Sequence, residues 1–183
     1  MGENAPDREI PGRETVVLDA ETRAQERPHD HQDELRLWLR LLTCTTLIEG
    51  EIRTRLRACF DVTLPRFDLM AQLEKMPEGM TLGELSRRMM VSNGNITGLV
   101  EKLAELGLLQ RIPHPTDRRA AMVRLTEAGH RSFADMAVEH AEWISNLFAG
   151  LGEAEVAQLM SLLGRVKQSV HAATEERKVR AGE

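Results

Sequence analysis

Residues 117–129, DRRAAMVRLTEAG, join a basic turn, a short extended segment and a helix start. The turn carries Asp117, Arg118 and Arg119, and the alternating residues 121–125 are typical of a β-strand. Thr126 can cap a helix that begins at the next residue. Residues 109–113 predict a partner strand, so the two strands form a hairpin with a basic tip.

Two short helices joined by a tight turn are predicted before this hairpin. Residues 81–84, TLGE, match a capping box, in which Thr81 and Glu84 bond free amides at a helix start. Ser92 can cap the second helix, 93–106, and Gly107 suits its left-handed end. The predicted core face of that helix is Ile96, Leu99, Val100, Leu103 and Leu106. A helix pair followed by a basic hairpin predicts a winged helix-turn-helix, which reads DNA with one helix and one β-loop.

Long amphipathic helices are predicted on both sides of this unit. Apolar residues recur at helical spacing, and the predicted helices are 31–60, 65–75, 126–148 and 153–171. The small domain between the long helices cannot cover their apolar stripes, so pairing with a second copy is the simplest solution. A two-fold dimer would present two reading heads to a palindromic DNA site.

The predicted fold class is mainly α, a winged helix-turn-helix with long flanking dimerisation helices. Its DNA-binding domain is residues 61–126, and its helical dimerisation region is residues 31–60 and 127–171. Three prolines, many charges and no apolar periodicity predict a disordered acidic arm over residues 1–30. The charged residues 172–183 are expected to fray.

Charge is distributed unevenly along the chain. The formal net charge is −5, but residues 1–34 carry −6 and residues 111–124 carry +3. Because local charge sets phosphate affinity, the negative total does not exclude a nucleic-acid partner.

Several other classes of protein find no support in the sequence. There is no phosphate loop, nucleophile elbow or metal-binding motif, so we expect no enzyme, metal or cofactor. The apolar stretches are too short to span a membrane, and the N-terminus lacks the apolar core of a signal peptide. We therefore expect a cytoplasmic protein with no membrane contact. A protein-interaction module that does not bind DNA remains an alternative.

The chain resembles the MarR family of bacterial transcription regulators. The resemblance covers residues 33–171 and is carried by MTLGELSRRMMVSNGNITGLVEKLAELGLLQRI, 80–112, and PTDRRAAMVRLTEAG, 115–129. It implies a homodimer that represses transcription at a palindromic operator and is released by a small molecule. The segments LRLWLRLLTCTTLIEGEIRTRLR, 35–57, and LPRFDLMAQL, 64–73, are similar to regulators of aromatic-acid catabolism. Some of those respond to hydroxycinnamoyl-coenzyme A or related aryl thioesters.

The start of the second helix contains the candidate base readers. Asparagine pairs bidentately with adenine, and serine or threonine serves bases or phosphates. The candidates are therefore Ser92, Asn93, Asn95 and Thr97, although Ser92 and Asn93 also suit a purely capping role. Many relatives carry arginine at the position of Gly98, so this chain lacks one guanine reader.

Further DNA contacts are expected from arginines. Asp117 and Arg119 match the family's Asp-x-Arg motif, which implies that Asp117 braces the hairpin and Arg119 enters the minor groove. Arg118 is a candidate phosphate contact, as are Arg87 and Arg88. The alternative is that these arginines are solvated surface charges.

An effector site is implied between the long helices and the DNA-reading domain. Trp38 suits an aryl ring, and Arg66 suits a carboxylate or phosphate. The remaining candidates there are Leu42, Thr45, Phe67, Met70 and Trp143, for which core or dimer packing is the alternative. Arg36, Arg40, Arg53, Arg55 and Arg57 could hold coenzyme A phosphates, or could pair with Glu49 and Glu51 on a solvated helix face.

A thiol-based redox sensor that uses Cys44 is the alternative function. Some relatives sense peroxide through a first-helix cysteine held by tyrosines, and this chain has no tyrosine. Buried structural cysteines are the more common outcome for Cys44 and Cys59.

Overall fold

The structure is a computed structural model that describes residues 32–114, 116 and 121–182. The predicted acidic arm, 1–30, lies outside the described residues. The described part is mainly helical with one small antiparallel sheet, which confirms the predicted fold class. Its elements in chain order are α1 (Gln32–Phe60), α2 (Leu64–Glu74), β1 (Met80–Thr81), α3 (Leu82–Met89), α4 (Asn93–Glu105), β2 (Leu109–Pro113), β3 (Ala121–Leu125), α5 (Glu127–Leu147) and α6 (Glu153–Ala181).

The chain divides into two compact units, and the boundary falls after Phe133. The first unit contains α1 to β3 and the start of α5. Its core joins side chains from four helices and the sheet. The fully buried members include Leu56, Leu69, Met70, Leu85, Ile96, Leu103 and Val123. Leu106 was predicted in this core but is 54% exposed, because it lies one residue beyond the last helical turn of α4.

The sheet has the order β1-β3-β2, with both pairs antiparallel. Leu109 pairs with Leu125 and Pro113 with Ala121, which confirms both predicted strands of the hairpin. The two-residue strand β1 was not predicted, because two residues carry no measurable alternation. Gly79, just before β1, has φ +91°, and a Cβ there would lie 2.7 Å from the carbonyl oxygen of Val123.

The predicted caps of α3 and α4 are confirmed. The Glu84 amide donates to Thr81 Oγ1 at 3.2 Å, and the Thr81 amide donates to the Glu84 carboxylate at 2.8 Å. The hydrogen bonds that the Glu84 carboxylate accepts from the Thr81 amide and hydroxyl lower the pKa of Glu84 below its usual value. Ser92 Oγ accepts from the Asn95 amide at 3.4 Å, and Gly107 is left-handed with φ +71°.

Helix α1 runs without interruption past Gly50 and ends at Phe60, and the next residue, Asp61, has φ +52°. Its C-terminal half reaches the core through Ile52 and Leu56. Its N-terminal half leaves large apolar side chains in solvent, since Leu35, Trp38 and Leu42 are each about half exposed. The amphipathic pattern of α1 is therefore only partly covered within its unit.

The second unit consists of the rest of α5 and all of α6. The predicted end of α6 near His171 is wrong, because the helix continues to Ala181. Residues 172–181 are rich in helix-favouring Ala, Glu, Lys and Arg, and Glu175 pairs with Lys178 at 3.2 Å. No residue of α6 is buried, although the helix carries a long apolar stripe. No described helix has the length and apolar character required to cross a bilayer.

Candidate nucleic-acid interface

The N-terminal end of α4 presents polar side chains to solvent. Ser92, Asn93, Gly94 and Asn95 are exposed, and Thr97 is half-buried. Within the described part of the chain, the side-chain amides of Asn93 and Asn95 have no hydrogen-bonding partner. Thr97 Oγ1 donates to the Asn93 carbonyl at 3.0 Å, so its hydroxyl proton is used and its lone pairs remain available. These groups match the hydrogen-bonding edges of DNA bases.

The opposite face of α4 anchors it in the core. Ile96, Val100 and Leu103 are completely buried. At its far end, the hydroxyl of Thr126 donates to the Gly107 carbonyl at 2.7 Å and connects α4 to the start of α5. A helix held in this way along one face presents its polar end in a defined orientation.

Two basic side chains lie on α3, which packs against α4. Arg87 and Arg88 form the last turn of α3 and are exposed, and Arg87 Nε donates to the Gly83 carbonyl at 3.4 Å. The C-terminal half of α4 differs in charge. Glu101 lies 3.9 Å from Arg111 on β2, and Glu105 lies 3.0 Å from Lys102. Phosphate groups are therefore expected near α3 and the start of α4, and not near the end of α4.

The hairpin of β2 and β3 follows α4 in the chain, which is the order expected of a wing. The predicted wing-tip residues Asp117, Arg118 and Arg119 lie outside the described residues. The strands on either side in the sequence, β2 and β3, are described, and the side chains of Val123 and Leu125 anchor β3 in the core.

Comparisons with known proteins agree with this geometry. The model of the MarR family matches residues 60–120. The HTH-type transcriptional regulator PecS of Dickeya dadantii is 26% identical over 78% of this chain and 87% of its own length. The HTH-type transcriptional repressor IacR of Pseudomonas putida is 31% identical over 60% of this chain and 65% of its own length. A mutant of E. coli MarR in complex with operator DNA has a TM-score of 0.66 at 22% identity, and covers 76% of this chain and 99% of its own.

The family model and these relatives make the chain similar to MarR-type DNA-binding transcriptional regulators. The relatives that it matches are regulators, not enzymes. In the winged-helix fold, the exposed end of α4 occupies the place of the recognition helix, and β2 and β3 occupy the place of the wing.

The candidate effector residues fall in different environments. Trp38 is 57% exposed and Leu42 46% exposed on α1, where Thr45 is also exposed. Arg66 is partly exposed near the start of α2. Phe67 and Met70 are buried in the first unit, and the Phe67 ring lies 5.5 Å from that of Phe133. Trp143 is buried and belongs to the second unit. Core packing, the alternative for the apolar candidates, accounts for Phe67 and Met70.

The arginines of α1 largely form ion pairs within the helix. Arg53 lies 3.6 Å from Glu49, and Arg55 Nε lies 2.6 Å from Glu51. Similar pairs join Arg36 to Asp33 at 3.7 Å and Arg57 to Asp61 at 3.8 Å. The geometry of Arg53 and Arg55 therefore matches the solvated helix face that was the alternative to phosphate binding.

Two features of the site were missed or wrongly predicted. Met90, between α3 and α4, is left-handed with φ +56° and 92% exposed, and no sequence signal marks it because glycine or asparagine usually fills such a position. The thiols of Cys44 and Cys59 were expected to be buried but are exposed. Cys44 lies in the part of α1 that the core does not cover.

Proposed function

We propose that this regulator is a homodimeric repressor that binds a palindromic operator and is released by a small effector. The effector is an aromatic acid or its coenzyme A thioester. The resemblance of residues 35–57 and 64–73 to regulators of aromatic-acid catabolism supports the class of effector.

The observation that carries the dimer is the uncovered apolar stripe of α6. Val156, Leu159, Leu163, Val166 and Val170 are each between 37% and 58% exposed on one long helix. A continuous exposed apolar stripe along a long helix marks an interface in soluble proteins, because exposure of apolar surface to water is unfavourable. A two-fold pair would place two α4 helices on one face of a duplex, about 34 Å apart.

The proposed DNA contacts divide by chemistry. Asn93, Asn95 and Thr97 read base edges in the major groove, and Ser92, Arg87 and Arg118 bind phosphates. Arg119 enters the minor groove, oriented by Asp117. The exposure of Ser92, Asn93, Asn95 and Arg87 supports this division for the described members.

The proposed effector contacts centre on α1. Trp38 stacks on the aryl ring, Leu42 and Thr45 extend the surface, and Arg66 pairs with the carboxylate or phosphate. Arg36 and Arg40 are the proposed contacts for coenzyme A phosphates. The half-exposed indole of Trp38 supports this arrangement, since an uncovered Trp is available to a ligand.

The test of the dimer uses paired variants of α6. Val166→Glu with Val170→Glu places charges on the stripe, whereas Gln168→Glu places one on the opposite side of the same helix as a control. Light scattering should show a monomer for the double variant and a dimer for the control and wild type. Duplexes from the region upstream of the gene should bind the control and wild type tightly and the double variant weakly. A monomeric wild type that still binds its operator with full affinity would contradict the proposal.

The effector is tested by calorimetry with benzoate, hydroxycinnamates and their coenzyme A thioesters. Binding at micromolar concentration that weakens in Trp38→Ala and releases operator DNA supports the proposal. Absence of binding by every aryl compound contradicts it. The thiol alternative requires that peroxide release the DNA from wild type but not from Cys44→Ser.

A further inference from the structure

The exposed face of α4 carries no basic side chain in its first two turns. From Ser92 to Glu101 the sequence SNGNITGLVE has no lysine or arginine, and the first basic residue, Lys102, pairs with Glu105 at 3.0 Å. Arginine and lysine make the commonest specific contacts with guanine, through its O6 and N7 atoms. This recognition helix therefore lacks the usual means of reading guanine.

The groups that α4 does present are carboxamides and hydroxyls. The amides of Asn93 and Asn95 are exposed, and within the described residues they have no partner in the protein. A carboxamide donates and accepts at once, which matches the N7 acceptor and N6 donor of adenine. Because the proton of Thr97 is used by the Asn93 carbonyl, its oxygen is left as an acceptor, which suits the amino group of adenine or cytosine and not the O6 of guanine. The selection of adenine therefore depends on the two carboxamides.

The far half of α4 limits how much of the helix reaches the bases. Glu101 and Glu105 are exposed acids that phosphates would repel, and Glu101 is held near Arg111 at 3.9 Å. The reading segment is thus residues 92–98, which rise about 10 Å along the helix axis. That length matches about three base pairs of duplex, at roughly 3.4 Å per step.

Gly98 lies at the end of this segment with open space around it. A Cβ built at Gly98 would meet no atom within 4 Å, so the fold does not require glycine there. The same is true of Gly94. A larger side chain at position 98 is sterically allowed. Because glycine stands there, the side-chain amides of Asn93 and Asn95 are left as the groups that read the bases.

We infer that the major-groove half-site of this regulator consists of A·T base pairs over about three consecutive positions, read by Asn93 and Asn95. The inference rests on the proposed DNA-binding roles and names the sequence that those roles select.

The test selects sites for the full-length protein from a duplex library and then measures affinity on matched A·T-core and G·C-core duplexes. Selected sites should show two-fold related A·T triplets. Replacement of adenine by 7-deazaadenine in the triplet removes N7 and should weaken binding of wild type more than binding of Asn95→Ala, which keeps only the Asn93 contact. Asn95→Ala should reduce the preference for the A·T core by about 5- to 150-fold. The control is Gln158→Ala, which removes an exposed side-chain amide from α6 and should leave the preference for the A·T core unchanged.

Gly98→Arg provides a test in the opposite direction. The variant should gain affinity for duplexes with guanine in the core, because it restores a bidentate guanine reader. Asn95→Ala should fold normally, since alanine favours helix and the Ser92 cap uses the backbone amide of residue 95.

The outcomes distinguish this inference from the proposed function. Selected half-sites with guanine at the core, or equal losses by Asn95→Ala on both duplexes, overturn the A·T inference and leave the operator-binding function intact. Failure of wild type to bind any duplex overturns both.

Discussion

Thr126 holds the C-terminal end of α4 by donating its hydroxyl proton to the Gly107 carbonyl at 2.7 Å. The same hydroxyl accepts from the Gly129 amide at 3.0 Å, so it also caps α5. The Thr126 amide donates to the Leu108 carbonyl at 3.0 Å. One residue thus connects α4, the start of the wing and α5, and gives a physical reason for threonine in the LTEAG sequence.

Thr126→Ala should lower the free energy of unfolding by about 1–2 kcal/mol, because it removes a helix cap together with a hydrogen bond between two helices. Thr126→Ser keeps the hydroxyl, so its free energy of unfolding should fall much less. Urea denaturation followed by circular dichroism measures both. Equal stability of Thr126→Ala and wild type would show that the bond does not stabilise the fold.

Glycine is required at position 129 by a close contact. A Cβ on Gly129 would lie 2.1 Å from the Leu108 carbonyl oxygen, so Gly129→Ala should destabilise the protein by roughly 3 kcal/mol or more. Gly98→Ala is the matched control, because a Cβ there meets nothing within 4 Å and should stabilise α4 by about 1 kcal/mol. Thermal melts of the two variants should shift in opposite directions, and a shared direction would argue against the close contact.

The backbone of Met90 predicts a gain of stability on substitution. A left-handed residue other than glycine costs roughly 1 kcal/mol, so Met90→Gly should raise the free energy of unfolding by up to that amount. Met89→Gly, one residue earlier and inside α3, should lower it by a similar amount, roughly 1 kcal/mol. If both substitutions destabilise the protein, the strain at Met90 is not relieved by glycine.

The capping box makes the stability of the fold depend on pH. Hydrogen bonds from Thr81 lower the pKa of Glu84 in the folded state. The ionised carboxylate therefore stabilises the fold at pH values above the pKa of Glu84 in the unfolded chain. That contribution is present above pH 4.5, the ordinary value for Glu, and is lost as the pH falls through the lower folded pKa. Glu84→Gln should be less stable than wild type at pH 7, and the difference should shrink toward pH 3.

Urea titrations of Glu84→Gln and wild type at several pH values measure this effect. Glu142→Gln, an exposed acid on α5, is the control and should follow the wild-type profile. A constant difference between Glu84→Gln and wild type at all pH values would contradict the assignment.

The wing makes a prediction that rests on its sequence. Arg119→Ala should weaken binding to operator DNA strongly, and the loss should be larger for narrow A·T-rich minor grooves. Arg118→Ala should weaken binding to operator and random duplexes alike and reduce the salt dependence by about one phosphate contact. Titrations at several salt concentrations separate the two, and retention of full affinity by Arg119→Ala would contradict the proposed wing contact.

Local chemistry explains which elements could be predicted. The caps at Thr81, Ser92 and Thr126 and the left-handed Gly107 depend on atoms within a few residues, so the sequence predicts α3, α4, α5 and their limits closely. The hairpin strands follow from alternation over five residues each. The polar start of α4 is likewise visible in the sequence, because its buried face repeats at helical spacing.

Features that join distant residues needed the tertiary structure. The strand β1 exists only because Met80 pairs with Val123, and Gly129 is required only because Leu108 approaches it. The exposure of Cys44 and the burial of Phe67 depend on which part of α1 and α2 the core covers. Periodicity shows that a helix has an apolar face, but it does not show what covers that face. Short-range hydrogen bonds and side-chain spacing depend on neighbouring residues and can therefore be predicted from the sequence. Burial depends on the packing of segments that are far apart in the chain, which only the tertiary structure shows.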